Sequence, residues 1–358
     1  MKKIMTTLTW LVFILSFLTV SCIPGLRQKA PERELVIFPA PPDTARIQFL
    51  TSFSNSGEIA GKRSAFSTYV LGEAPEQEIV KPYGLAVAGG KIYICDTMLG
   101  GLEIVDLAKN RFAYFTPGGL GQLKKPINCC VDEAGFLYVA DSERRQVVVF
   151  DPEGRYQGSI GGEELARPTD VAVHRDQIWI ADIKKQQVLV YGKADYRLLR
   201  TLPEAAPQTP GHLYLPTNLA IINDQLYVSD FGDFKIKIYS LSGQFLSSVG
   251  SYGRQLGQFV RPKGIAVDRE GNLYVVDAGF ENIQMFDAEN RLLMFFGGNS
   301  QGPGGMWLPA KVVIDYDHLQ YFQKYVDKRF NLKHLIFVTN QYGPDKINVY
   351  GFVEARDK

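Results

Sequence analysis

A proline, a short apolar strand, a turn and a second strand that stops on a polar residue recur six times along this chain. The copies begin at Pro82, Pro126, Pro168, Pro216, Pro262 and Pro309, spaced 44, 42, 48, 46 and 47 residues apart. The first strands repeat one pattern: Gly84-Leu85-Ala86-Val87, Asp170-Val171-Ala172-Val173, Asn218-Leu219-Ala220-Ile221 and Gly264-Ile265-Ala266-Val267. The second strands alternate aromatic and branched residues into an acid, as in Ile92-Tyr93-Ile94-Cys95-Asp96 and Leu273-Tyr274-Val275-Val276-Asp277. The stop recurs as Asp141, Asp182, Asp230 and, in the last copy, Asn340. A third strand follows (146–151, 187–191, 235–239, 282–287), then a turn such as Ser242-Gly243 and a fourth strand such as 245–250. No copy can bury its apolar face alone, so the copies must stack on one another. Four short strands at a period in the forties mark an all-β fold, a six-bladed β-propeller with four-stranded blades.

An open ring would leave sheet edges exposed to unwanted pairing. The last copy supplies three strands (310–315, 335–339, 347–352) and then the chain ends. Residues 45–53 have the alternation of a fourth strand, so they are expected to complete the sixth blade, with 54–80 leading into the first. An insertion at 316–334 interrupts the last copy. There Leu319, Phe322, Val326 and Phe330 fall at helical spacing, with Asp315 or Asp317 as N-cap, which predicts one helical face packed over its blade or used for docking.

The stretch Arg261-Pro262-Lys263-Gly264-Ile265-Ala266-Val267-Asp268 through Phe295-Phe296-Gly297 resembles the NHL-repeat propellers. Five further copies follow it in register, and the resemblance covers residues 45–353. It implies the fold and leaves the activity open.

The first 21 residues read as an export signal: Lys2 and Lys3, an uncharged apolar run from Leu8 to Val20, then Ser21. The run is too short to span a bilayer comfortably. Leu18-Thr19-Val20-Ser21-Cys22 is similar to a lipobox, which implies acylation of Cys22; Ile23 after it implies the outer membrane, facing the periplasm or the cell surface. Residues 22–44, with Pro24, Pro31, Pro39, Pro41 and Pro42, read as a flexible tether. The expected organisation is therefore a signal peptide (1–21), a lipidated tether (22–44), the propeller (45–353) and a short tail (354–358).

Charge is nearly balanced, with 39 Lys and Arg against 38 Asp and Glu, so bulk electrostatics demand no polyanionic partner, and export disfavours nucleic acid. Apart from Cys22, the cysteines are Cys95, Cys129 and Cys130. Cys95 and Cys130 occupy repeat positions held elsewhere by Ala or Ser, which predicts free buried thiols, with a bridge from Cys95 to the neighbouring copy as the alternative. No Cys-x-x-Cys-His is present for covalent haem.

Ligands of propellers meet the loops that lead into the innermost strand and those that follow the second strand. Here these carry Lys81, Lys124, Lys125, Arg167, Arg254, Arg261 and Lys263, and Arg144, Arg145, Lys184, Lys185 and Lys235, against Glu143, Asp233 and Glu281. This face is expected to receive an anionic ligand or partner, an envelope protein or an anionic glycan. Resemblance to lipoprotein propellers of bacteria rich in multihaem cytochromes adds such a cytochrome complex as one setting. The recurring acid at each second-strand end is expected to cap the following turn rather than to hold metal.

Two enzyme classes set the alternative reading. Lactonase-like propellers, by resemblance, hold a divalent metal over the central channel. The corresponding positions are Gly84, Asn128, Asp170, Asn218, Gly264 and Lys311, so Asn128, Asp170 and Asn218 are the candidate Ca²⁺ donors of a metal-dependent hydrolase, with Lys311 opposing a cation. Amidating-lyase-like propellers need converging histidines, and His174, His212, His318 and His334 are spread over a strand end, a loop and the insertion. No nucleophile elbow or phosphate-cradling glycine loop occurs. The expected function is non-catalytic binding or scaffolding at the membrane, without a cofactor.

Overall fold

The computed structural model describes residues 34–60 and 76–356. Six antiparallel sheets stand in a ring. Their inner strands are β3 (Pro82–Ala88), β7 (Pro126–Val131), β11 (Pro168–His174), β15 (Pro216–Ile222), β19 (Pro262–Val267) and β23 (Pro309–Asp315). Each lies beside the next, and β23 returns to β3. Every inner strand begins with its proline, where the missing N–H costs the ladder nothing. In all six blades the register slips directly after that proline. Such a bulge adds local twist and re-aims the residues that follow.

The second strands are β4 (Lys91–Asp96), β8 (Leu137–Asp141), β12 (Gln177–Asp182), β16 (Gln225–Asp230), β20 (Leu273–Asp277) and β24 (Phe330–Asn340). The first five blades are completed by third and fourth strands, as in β5 (Gly101–Asp106) with β6 (Arg111–Phe115) and β21 (Asn282–Phe286) with β22 (Leu292–Gly297). In the sixth, β25 (Ile347–Ala355) pairs antiparallel with β2 (Ile47–Phe53), from Ile47 against Phe352 to Phe53 against Ile347, with one register slip between Phe49 and Thr51. Closure by this amino-terminal strand is as the alternation implied.

The core lies between blades, because each sheet is apolar on both faces and must be covered on both. Val147 and Tyr138 of blade 2 pack with Val171 and Ile178 of blade 3. The closing strand serves two such interfaces: Leu50 and Phe53 join Leu85 and Ile92 of blade 1, while Ile47 joins Val276 and Phe296 of blade 5.

Three expectations are corrected. The expected tether runs to residue 44, yet β1 (Ile37–Phe38) pairs with Ile47 and Gln48 as a fifth strand, and Phe38 packs near Phe296. A short apolar pair next to an open sheet edge is more stable on that edge than in solvent. The helical stripe shrinks to one turn, α2 (Leu319–Phe322), after α1 (Ser56–Ala60), and a 3-10 turn follows at Gln323–Tyr325. Phe330 belongs instead to the long strand β24. Asp315 does not cap that helix in the usual way; its carboxylate accepts bonds from the His318 N–H at 3.0 Å and from Nδ1 at 2.7 Å. The helix packs Phe322 into the interface of blades 6 and 1, beside Phe337, so the insertion covers its own blade. Finally, Glu354 and Ala355 continue β25 rather than forming a tail. The export signal and Cys22 lie outside the described residues.

Candidate functional site

The five second-strand acids, with Asn340 in the sixth blade, build one end of the ring. Asp96 Oδ2 accepts the N–H groups of Val80 and Lys81 at 2.8 and 2.7 Å, while Oδ1 accepts those of Met98 and Leu99. Asp141 does the same for Lys124, Lys125, Glu143 and Arg144, and Asp277 for Val260, Arg261, Gly279 and Phe280. Asp182 follows the same rule, so these four carboxylates tie the loop approaching the inner strand to the loop leaving the second, whereas Asp230 holds Tyr214 and Leu215 N–H and pairs with Lys237. Backbone bonds reinforce the pairing, such as Thr97 N–H to the Lys81 carbonyl and Ala278 N–H to that of Arg261. A carboxylate saturated by backbone donors has no lone pairs left for a metal, so the acids are structural, as expected. Asn340 substitutes in blade 6, accepting from Trp307 N–H and donating to the Asp345 carbonyl.

These paired loops hold every predicted basic residue, and the structure divides them by what they touch. Lys125 faces Glu143 at 3.5 Å and Lys235 faces Asp233 at 3.3 Å. Arg144 is turned inward: its guanidinium donates to Gln146 Oε1 and to the carbonyls of Leu120 and Gln122, pinning the loop before blade 2. Arg145, Arg167, Lys184, Lys185 and Arg261 are exposed. Among the described residues no carboxylate pairs with them, nor with Lys81 and Lys263, which lie over the rings of Tyr342 and Tyr83.

Sequence reasoning missed the apolar half of this face. Of the large hydrophobic side chains exposed among the described residues, Val80, Met98, Leu120, Leu215, Tyr252, Leu256 and Tyr342 all lie on these same loops, with Leu120 75% and Met98 68% exposed. The others, among them Leu198, Leu246 and Phe295, lie on outer strands, and none is on the loops of the opposite end. Phe231, Phe234 and Tyr252 add a run of rings with centroids 6.0 and 4.7 Å apart. Phe234 holds a left-handed backbone (φ 54°), a costly conformation for an aromatic residue that presents its ring on this end. Each of these residues breaks the polar character of a turn, a signal visible in the sequence beside the charges.

The channel positions form a different environment. Asn128, Asp170 and Asn218 are buried, and Asp170 Oδ2 accepts from Lys311 Nζ at 2.7 Å, from Leu219 N–H at 3.0 Å and from Asn218 Nδ2 at 3.2 Å. The Lys311 ammonium thus stands against the one carboxylate a divalent ion would need. Oδ1 of Asn128 and Oδ1 of Asn218 are buried without partners, but two amide oxygens and a neutralised carboxylate are a poor donor set for Ca²⁺. Tyr83 borders this group, and burial together with the Asp170 charge pushes its hydroxyl up, so it stays neutral. Gly84 and Gly264 are required by close approach: a Cβ at 84 would meet Asn128 Cα at 2.5 Å, and one at 264 would meet Lys311 Cα at 2.6 Å.

The histidines are dispersed. His334 is buried against Phe352 and Tyr274, and burial lowers it to about 4. His318 bonds Asp315 and Gly90, His212 the Ala205 carbonyl, and His174 approaches Asp224. Among the described residues no cluster of three or more His, Cys, Asp or Glu could hold a metal ion. Cys95, Cys129 and Cys130 are free thiols, the first two within one core cluster between blades 1 and 2.

No family model matches this chain. A 94-residue stretch, 26% of the chain, is 29% identical to Protein brain tumor of Drosophila melanogaster and spans 9% of that protein's length. Among solved structures, a gluconolactonase from Xanthomonas campestris superposes with TM-score 0.56 at 18% identity, covering 90% of this chain and 99% of that one. Virginiamycin B lyase from Staphylococcus aureus does so with TM-score 0.52 at 12% identity, over 77% and 96%. At these identities the likeness is one of fold, shared by proteins with different chemistry.

Proposed function

We propose that this chain is an NHL-type propeller, exported and held at the outer membrane by lipid on Cys22, that binds a protein of the cell envelope on its loop face without catalysis. The observation that carries the reading is the coincidence of exposed apolar side chains with unpaired cations on one end of the ring. Leu120, Met98, Tyr252 and Leu256 stand on the same end of the ring as Arg145, Arg167, Lys184 and Lys185, which other loops of that end present. A polyanion or glycan needs the cations alone, whereas a protein interface uses aromatic and aliphatic anchors surrounded by charge. Several large apolar side chains exposed on one end of an otherwise well-buried fold also point to an interaction site.

The test is capture from native membranes with three baits: the wild-type chain, an apolar variant (Leu120→Ser with Leu256→Ser) and a charge variant (Arg145→Glu, Lys184→Glu, Lys185→Glu). The expected result is a protein retained by the wild type, lost with the apolar variant at every salt concentration, and lost with the charge variant most strongly at low salt. Equal capture by all three baits overturns the reading. Retention of an anionic glycan unaffected by the apolar variant replaces protein with glycan as the ligand. Cys22→Ala should move the protein to the soluble fraction, and unchanged membrane association refutes the lipid anchor.

A further inference from the structure

We propose that Lys81, Arg261 and Lys263, brought together where blades 5, 6 and 1 meet, form a carboxylate-binding site that seats an acidic side chain of the docked partner. Lys263 is half-buried, with its Nζ 5.2 Å from the ring of Tyr83; Lys81 Nζ is 4.9 Å from the ring of Tyr342. Lys263 and Arg261 come from blade 5, Lys81 and Tyr83 from blade 1, and Tyr342 from blade 6. At the repeat position of Lys263 and Tyr83, blade 6 carries Ala310, whose fully buried methyl group leaves the interval between them free of a long side chain. The site exists only because the ring is closed.

The electrostatics are those of an incomplete site. Burial, with Arg261 and Lys81 as like charges beside it, lowers Lys263 to about 8, and among the described residues no carboxylate forms an ion pair with any of the three. Elsewhere the chain neutralises its buried lysines: Lys237 pairs with Asp230 and Asp233, and Lys311 with Asp170. Like charges gathered without a counter-ion repel one another, and an arriving anion relieves that repulsion, so its binding is favoured more than at an isolated surface lysine. A carboxylate fits because the planar fork of an arginine such as Arg261 can donate two parallel bonds to it, and the two ammonium groups add further donors. It is also the oxyanion that a protein partner brings to a face with apolar anchors.

The identity of the occupant rests on the docking reading above, but the site can be tested without a partner. The full chain carrying ¹³C-labelled lysine is titrated with glutarate at constant ionic strength, following the Lys263 ε-carbon by NMR and thermal unfolding in parallel. The expected result is saturable binding that moves the Lys263 pKa upward by about one unit and raises the melting temperature. Lys263→Met should abolish the saturable thermal response. Lys81→Met with Arg261→Met should abolish it too, and should raise the Lys263 pKa before any glutarate is added. A response no larger than that to sodium chloride, or one retained in both variants, overturns the site. A larger response to inorganic phosphate than to glutarate overturns the carboxylate assignment. Failure of the titration removes this site and leaves the docking face standing, whereas normal titration with equal membrane capture by all baits removes the docking face alone.

Discussion

Lys311 Nζ lies 2.7 Å from Asp170 Oδ2, so the inner strand of blade 6 is tied to that of blade 3 on the opposite side of the ring. Both side chains are almost wholly buried, and their mutual attraction offsets the cost of removing two charges from water.

Removing one partner leaves the other charge buried and uncompensated. Lys311→Met is expected to lower unfolding free energy by about 3–5 kcal/mol, whereas Asp170→Asn with Lys311→Met should recover most of that loss. Urea unfolding of the two singles and the double measures the coupling, and strictly additive effects would contradict the pairing. Adding Ca²⁺ to the wild type is expected to leave its midpoint unchanged, because the donor carboxylate is already taken.

Glu103 stands buried on β5 with neither carboxylate oxygen hydrogen-bonded. Burial and the neighbouring Asp96 charge raise it from 4.5 to about 9. A carboxyl raised in the folded state contributes stability below its unfolded value and loses it as pH climbs towards the folded one. Stability attributable to this group should therefore fall between pH 4.5 and 9. Glu103→Gln is expected to match the wild type near pH 4.5 and to exceed it at pH 7 by up to roughly 3 kcal/mol. A wild-type minus variant difference that does not change with pH would show that Glu103 does not titrate as described.

Gly84→Ala places a methyl group 2.5 Å from Asn128 Cα, against backbone that cannot rotate away. The expected loss is about 1–3 kcal/mol or more, with the blade 1 and 2 amides losing hydrogen-exchange protection first. Gly271→Ala, whose Cβ would meet the Ala288 methyl only at 3.5 Å, should lose less despite its positive φ.

Burial holds the Cys95 and Cys130 thiols well above their usual range. Cys95 and Cys130 should therefore resist alkylation at pH 8 in the folded protein and react fully in denaturant, and Cys129 should do the same because the core around it excludes the reagent. Mass spectrometry after timed iodoacetamide treatment gives the answer, and rapid modification of Cys95 or Cys129 in the native state would contradict their placement.

Much of this fold was legible because its signals are repeated. A proline opening each inner strand and an acid, or Asn340 in the last copy, ending each second strand are single-residue features with one physical job, and six copies in register leave little room for another fold. Closure was legible because residues 47–53 alternate and the last copy lacks a strand. The helix over Leu319, Phe322, Val326 and Phe330 was overread because four apolar residues at helical spacing also satisfy a turn followed by a strand. In the structure Phe330 and Leu332 alternate along β24 instead. The site was half legible. Charge on the loops is visible residue by residue, but whether an arginine faces solvent or pins its own loop, as Arg144 does, depends on carbonyls more than twenty residues away. Lys311 was read as repelling a metal; that it reaches Asp170 across the ring could not be inferred from one strand.

The pairing of Ile47 with Phe352 also fixes when folding can finish during synthesis. β2 precedes blades one to five in the sequence and β25 follows them, so β2 must wait unpaired until β25 has been synthesised. Long-range closure of this kind is entropically expensive and slow. A chain stopped before residue 347 would carry two unsatisfied sheet edges, one at each end of an open arc, and each would be free to pair with a neighbouring molecule.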